Sequence, residues 1–139
     1  MKKRLSLLIV LNFVALAFVF TQTPEAIEAP KLSSDIQGAW KMVERNGVPV
    51  PEGVTQIKMI TGSRFMWMLT NAQGIVMDCA GGTYTLEGGA YTETIDMAPH
   101  PGSNVGKLYP CQVSIAGNRL YQMASPANGS ILEVYERIN

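Results

Sequence analysis

The chain contains one histidine, His100, which lies between Pro99 and Pro101 in a segment without strand character. No serine, cysteine or carboxylate has a spacing from which local structure would bring it to the imidazole, so a nucleophile, base and orienting group cannot be assembled. One histidine and two isolated cysteines also provide no closely spaced pair of metal ligands. We therefore expect no enzymatic activity, no metal and no cofactor, and we interpret His100 as a solvated loop residue.

The two cysteines, Cys79 and Cys111, could form a disulfide in an oxidising compartment. A bridge enclosing about 30 residues would stabilise the fold by about 3 to 4 kcal/mol. The cysteines fall on predicted strands that are second neighbours, about 9.5 Å apart at the usual strand spacing, whereas a disulfide needs Cα atoms within about 7 Å. The strand arrangement argues against a bond, although curvature of the sheet could shorten the distance, so both states stay open.

Apolar side chains occupy both faces of the segment 64–70. Phe65, Trp67 and Leu69 share one face, and Met66 and Met68 share the other. Flexible thioethers suit an adaptable apolar pocket, although methionines also fill gaps in ordinary cores. Trp67, Met66 and Met68 are therefore candidate ligand contacts, with simple core packing as the alternative.

The N-terminal residues have the layout of a secretory signal peptide. A basic cluster, Met1-Lys2-Lys3-Arg4, precedes an uncharged apolar run, 5–20, that is short for a membrane anchor. We place the signal peptide at 1–22, with cleavage between Thr21 and Pro24, and a flexible tether at 23–34. No cysteine lies near the junction, so we expect a soluble periplasmic or extracellular protein that is not a lipoprotein and has no membrane span after cleavage.

Composition limits the mature part to one domain, 35–139. Of the whole chain, 47% of residues are hydrophobic and 16% are charged. Removal of Lys2, Lys3 and Arg4 leaves 8 basic against 11 acidic residues, a net charge near −3. A nucleic-acid partner is not expected, because binding of that kind needs a basic surface.

The mature chain reads as a meander of short strands separated by turn signals. Asn46-Gly47 and Gly117-Asn118 are typical hairpin turns, and Gly81-Gly82 predicts a bulge or a sharp bend inside a long strand. No helix of useful length fits. The eight predicted strands are 38–45, 54–60, 64–70, 75–86, 90–97, 107–115, 119–124 and 131–138. Because every successive pair can form a hairpin, we predict an all-β fold, a single up-and-down antiparallel barrel.

Two ends of the chain carry a pattern found in one group of such barrels. Gly38-x-Trp40 followed by Lys41 opens the first strand, and Arg137 lies near the end of the last. This pair resembles the signature of the lipocalin and fatty-acid-binding (calycin) barrels, and further segments across the chain resemble small secreted bacterial lipocalin-like domains of unknown function. The resemblance implies that Arg137 lies across the Trp40 ring and closes the barrel, a contact worth about 0.5 to 2 kcal/mol.

If Arg137 reaches Trp40, the same face of the last strand carries Glu133 and Tyr135 into the barrel. A buried carboxylate must be paired or hydrogen-bonded. We expect one of two arrangements. Glu133 and Tyr135 either bind the polar head group of a ligand, with Glu93, Tyr84 and Tyr121 as further members of the site, or form a network in which the polar groups hydrogen-bond only to one another.

Two functions follow from the predicted barrel. Eight strands leave room for packed side chains or for one small ligand. The leading hypothesis is a non-catalytic protein that binds a small, mainly apolar molecule. The alternative is a packed barrel that acts through its outer surface as an envelope structural or protein-interaction module.

Overall fold

The computed structural model describes residues 29–100, 104–125 and 129–139. The predicted signal peptide and its cleavage site lie outside the described residues. A short helix, α1 (Ala29–Asp35), is followed by nine strands. They are β1 (Gly38–Arg45), β2 (Val48–Pro49), β3 (Thr55–Ile60), β4 (Arg64–Thr70), β5 (Val76–Glu87), β6 (Ala90–Met97), β7 (Leu108–Ala116), β8 (Arg119–Ala124) and β9 (Ile131–Arg137).

The strands form one closed antiparallel barrel. Each strand from β3 to β8 pairs with its successor. β1 pairs with β3 and also with β9, which closes the sheet into a barrel of eight strands. The two residues of β2 only extend the edge of β1 through the Asn46-Gly47 turn, where both residues have positive φ, 52° and 77°. The predicted all-β, up-and-down, eight-stranded barrel is confirmed.

The helix α1 corrects the tether prediction. Residues 29–34 were expected to be part of a flexible tether, but they are helical, and the Leu32 side chain lies in the core. Ile36, which follows the helix, is fully buried, and its carbonyl accepts a hydrogen bond of 2.8 Å from Trp40 Nε1. Seven residues are too few for a stable isolated helix, so docking against the barrel supplies the stability.

Of the two alternatives predicted at Gly81-Gly82, a bulge or a sharp bend, the structure has a bulge. The register between β5 and β6 shifts between these two glycines. A Cβ atom at Gly82 would lie 1.8 Å from the Thr94 carbonyl oxygen, so the strands approach here at a distance that only glycine permits. The bulge increases the local bend by which β5 follows the curvature of the barrel.

Candidate functional site

One end of the barrel is closed by Trp40 and Arg137. The Trp40 ring is fully buried, and the Arg137 guanidinium lies 4.1 Å from the ring centroid. The same guanidinium donates to the carbonyls of Gln37, at 2.7 Å, and Asp35. Gly38 has a φ of +128°, and a Cβ atom there would lie 2.6 Å from Arg137 Nη1. The closure expected for Gly38, Trp40 and Arg137 is therefore present.

The other half of the barrel is hollow. A partly open cavity of about 270 Å³ extends from the barrel centre to the end where β1 finishes and β9 begins. Its apolar wall includes Trp67, Ile95, Tyr109 and Ile131, and its polar lining includes Gln56, Glu93, Gln122 and Glu133. The interior is not packed throughout, contrary to the hypothesis of a filled barrel.

A buried lysine lies at the inner boundary of this cavity. Lys58, on β3, is 2% exposed and forms an ion pair with Glu93 on β6. Its ammonium also donates to Gln122 Oε1, on β8, at 2.6 Å. Paired and hydrogen-bonded in this way, a charge can stay inside a barrel that would otherwise exclude it.

Aromatic rings surround the Lys58 ammonium. The nitrogen lies 5.5 Å from the ring centroids of Phe65 and Tyr91 and 5.8 Å from that of Tyr135. Distances of this size permit cation–π attraction, which strengthens where water is excluded. The lysine is therefore held by a carboxylate, an amide and three rings, and its charge is satisfied within the protein.

A second polar group lies nearer the cavity mouth. The Tyr135 hydroxyl donates to Glu133 Oε2 at 2.7 Å and accepts a hydrogen bond of 3.4 Å from Gln56 Nε2. The other carboxylate oxygen of Glu133 lies 3.7 Å from Nε of Arg45, whose side chain is 56% exposed. Glu133 therefore keeps acceptor capacity facing the cavity.

The hydroxyls of Tyr135 and Tyr91 are held in the protonated form. Burial, together with the charge of Glu133, raises the pKa of Tyr135 well above its usual value. Burial first, and the neighbouring Glu93 second, raises the pKa of Tyr91 far above its usual value. The Tyr91 hydroxyl is buried and has no hydrogen-bond partner among the described residues.

The residues proposed as ligand contacts divide between the two sides of the barrel wall. Trp67, Glu93, Glu133 and Tyr135 line the cavity. Tyr84 also points into the barrel, but it does not line the cavity. Its ring centroid lies 5.1 Å from that of Tyr91, and its hydroxyl donates to the Thr61 carbonyl.

Three of the proposed contacts lie outside the cavity. Met66, Met68 and Tyr121 alternate with the inward residues of their strands and face outward, so they do not line the barrel cavity. Because both faces of β4 are apolar, the alternation of its side chains does not show which face points into the barrel.

Sequence reasoning missed Lys58 and Gln122, which are central to the site. In β3 the polar Gln56 and Lys58 point inward, whereas Met59 is exposed, the reverse of the usual apolar-inside pattern. The strand register could have revealed the orientation of Lys58. Lys58 is paired with Trp40 on β1 and with Trp67 on β4. Because paired residues point to the same face of a sheet, an inward Trp40 requires an inward Lys58.

The two cysteines are free thiols in the structure. Cys111 points into the cavity, where Gln122 Nε2 donates to its sulfur at 3.3 Å. Burial raises the pKa of the Cys111 thiol, which disfavours the reactive thiolate. Cys79 is two residues from the bulge on β5 and lies on the outer face, opposite Met68. The thiols lie on opposite sides of the barrel wall, so the disulfide considered above is absent.

His100 is exposed and is not among the residues that line the cavity. Among the described residues, no group of three or more histidine, cysteine, aspartate or glutamate side chains is placed to hold a metal ion. In the same part of the chain, no helix has the length and apolar character needed to cross a bilayer.

No family model and no curated protein sequence matches the chain. Among solved structures, fatty-acid-binding protein 1 of Echinococcus granulosus has 12% sequence identity and a TM-score of 0.45, over 76% of this chain and 99% of that chain. Zebrafish ileal bile acid-binding protein, complexed with cholic acid, has 16% identity and a TM-score of 0.38, over 73% and 98% of the two chains. The barrel is defined by the strand pairing of this chain itself.

Proposed function

We propose that the protein is an exported, non-catalytic binding protein that holds one small, mainly apolar molecule in the open half of its barrel. The observation that carries the proposal is the cavity of about 270 Å³ bounded by an apolar wall and a polar floor. A concave, mostly apolar space with a few convergent polar groups is the usual form of a small-molecule site.

The charges in the cavity indicate which end of the ligand faces inward. Lys58 is already neutralised by Glu93 and enclosed by rings. Glu133 is less enclosed, with a side chain that is 18% exposed, and it keeps an oxygen available. An incoming carboxylate would find Lys58 already paired with Glu93, whereas a hydroxyl or ammonium group could donate to Glu133, whose partner Arg45 is largely exposed. We expect a ligand whose polar end donates hydrogen bonds.

Binding of three probes of equal length tests this function. Octan-1-ol, octylamine and octanoate are titrated separately into the mature protein by isothermal calorimetry, with native mass spectrometry to count bound molecules. We expect one equivalent of the alcohol or the amine to bind, and octanoate to bind more weakly. Absence of binding by all three probes would contradict the proposed cavity function for ligands of this size.

A matched pair of variants locates the binding site. Ala124→Leu adds bulk inside the cavity, since Ala124 lines it, whereas Ala116→Leu adds the same bulk at an exposed position at the end of β7. We expect binding to be lost in Ala124→Leu and kept in Ala116→Leu. Equal binding by the two variants would place the ligand elsewhere.

Export is part of the proposal because the first 22 residues have the layout of a signal peptide. The test is expression of the full chain in a bacterial host, followed by cell fractionation and N-terminal sequencing. We expect the protein outside the cytoplasm, with a new N-terminus between Thr21 and Pro24. Recovery of the uncleaved chain from the cytoplasm would argue against export.

A further inference from the structure

A second recess lies on the outer surface of the barrel, separated by the wall from the ligand cavity. It has a volume of about 250 Å³ and is lined by Met66, Cys79, Ala80, Gly81, Met97, Ala98 and Pro99. Three of these seven side chains contain sulfur, and the others are small or apolar. Neither His100 nor any carboxylate lines it, so it is chemically distinct from the polar cavity inside.

The strand register explains why the sulfur atoms gather there. Met66 on β4 is paired with Gly81 on β5, and Gly81 is paired in turn with Met97 on β6. Because Gly81 has no side chain, the two methionines meet above it: a Cβ atom at Gly81 would lie 2.9 Å from Met97 Cε and 3.6 Å from Met66 Cβ. The glycine therefore brings thioethers from non-adjacent strands within reach of each other.

Two more sulfur side chains lie on the same face. Met68 is directly opposite Cys79, and directly opposed side chains have Cβ atoms about 4.5 to 5.5 Å apart. Met59 is directly opposite Met66. The thiol and three thioethers of Met66, Met68, Cys79 and Met97 are called the outer sulfur cluster below, with Met59 at its edge.

The cluster is open to solvent. Met66 is 39% exposed and Met97 is 43% exposed, although methionine is among the residue types that proteins most often bury. Unbranched methionine side chains can rearrange so that their sulfur atoms converge on one point.

We propose that the outer sulfur cluster binds a soft monovalent metal ion, of the class of Cu(I) and Ag(I), with Met66, Met97 and the Cys79 thiolate as ligands and Met68 as a further donor. Thiolate and thioether ligands select such ions over Zn²⁺, Mg²⁺ or Ca²⁺. Binding releases the thiol proton of Cys79 to solvent, so a neutral thiol and a cation become a neutral thiolate–metal pair.

The test uses the mature protein with Ag(I), which needs no reductant, and with Cu(I) under anaerobic conditions against a chromophoric Cu(I) chelator. Native mass spectrometry counts bound ions. We expect one tightly bound ion. Met66→Leu and Met97→Leu keep the apolar volume but remove the sulfur, and each should weaken binding by roughly tenfold or more, since even groups that only support a ligand contribute that much.

Two control variants separate the cluster from other sulfur atoms. Met123→Leu changes a methionine that is 44% exposed, as Met66 and Met97 nearly are, but lies on β8. Cys111→Ala removes the thiol inside the cavity. Neither should alter the affinity, and Cys79→Ala should reduce it at least as much as the methionine changes.

Three outcomes would overturn the proposal. They are wild-type protein that takes up no ion, Met66→Leu and Met97→Leu variants that bind as the wild type does, and loss of binding on removal of Cys111 instead of Cys79. A carbon-13 label in the methionine methyl groups gives an independent readout. On addition of Ag(I), the Met66 and Met97 signals should shift while that of Met123 stays in place.

Discussion

At the scale of single residues, Lys58 shows how a barrel interior accommodates a full charge. Its ammonium has Glu93 and Gln122 as hydrogen-bond partners and three aromatic rings around it. A buried ion pair of this kind is close to neutral for stability as a whole, because desolvation offsets attraction. Removal of only one partner is destabilising, because the other charge is then left buried and unpaired.

Lys58→Met should therefore destabilise the protein by about 3 to 5 kcal/mol, because Glu93 loses its counter-ion in a buried position. The double variant Lys58→Met/Glu93→Leu should recover most of that loss. Urea unfolding of the two single variants and the double variant measures the coupling. Additive effects of the two substitutions would contradict the pairing.

The two interior tyrosines should respond oppositely to loss of the hydroxyl. Tyr91 has a buried hydroxyl without a partner, so Tyr91→Phe should raise the free energy of unfolding by about 1 kcal/mol. Tyr135→Phe is the matched control: its hydroxyl bonds to Glu133 and Gln56, and its removal should cost about 1 kcal/mol. Urea unfolding at pH 7 gives both values, and a Tyr91→Phe variant less stable than the wild type would reveal a hidden partner.

At the scale of elements, the bend of β5 depends on the glycine pair of its bulge. The β5–β6 register shifts at this point, and the Thr94 carbonyl occupies the space that a side chain at Gly82 would need. The outer sulfur cluster depends on the neighbouring Gly81 in the same way. One bulge therefore shapes the barrel and opens its outer surface.

Gly82→Ala should be among the most damaging small substitutions in the chain. Its Cβ atom would clash with backbone at 1.8 Å, so β6 must move, and we expect a loss of about 3 kcal/mol or failure to fold. Gly62→Ala is the control, because no atom lies within 4 Å of its added Cβ, and its effect should stay within about 0.5 kcal/mol. Thermal unfolding of the two purified variants compares them; similar melting temperatures would contradict the close approach.

The order of strands could be predicted from local signals, whereas the site could not. Turns such as Asn46-Gly47 define strand ends within the sequence, and alternation then determines which residues share a face. Lys58, Glu93 and Gln122 are instead brought together over separations of 35 and 64 positions, which no local pattern encodes. The helix α1 was missed for a related reason: its stability comes from burial of Leu32 against the barrel, not from its own short sequence.

At the scale of the whole molecule, the two halves of the barrel differ in packing. One half is closed by Trp40, Arg137 and α1 and supplies a packed core. The other half contains the cavity. The polar groups of the interior lie at the boundary between the two halves. Tyr91 and Tyr135 belong to this boundary, where Glu93 and Glu133 oppose their ionisation.

This arrangement predicts loss of stability at alkaline pH. The folded state raises the pKa of both tyrosines above the usual value near 10. Below about pH 10 the hydroxyls are protonated in both folded and unfolded chains, so their contribution is constant. Above that pH the unfolded chain releases protons that the folded chain keeps, so stability falls by up to about 1.4 kcal/mol per pH unit for each tyrosine.

Urea unfolding of the wild type and of Tyr91→Phe between pH 8 and pH 11 measures the contribution of Tyr91 to this loss of stability. The variant should lose stability less steeply than the wild type above about pH 10, and the two curves should run parallel below it. Because every other titrating group is common to the two proteins, the difference between the curves reports Tyr91 alone. Parallel curves over the whole range would mean that the folded barrel lets this hydroxyl ionise freely, against its burial beside Glu93.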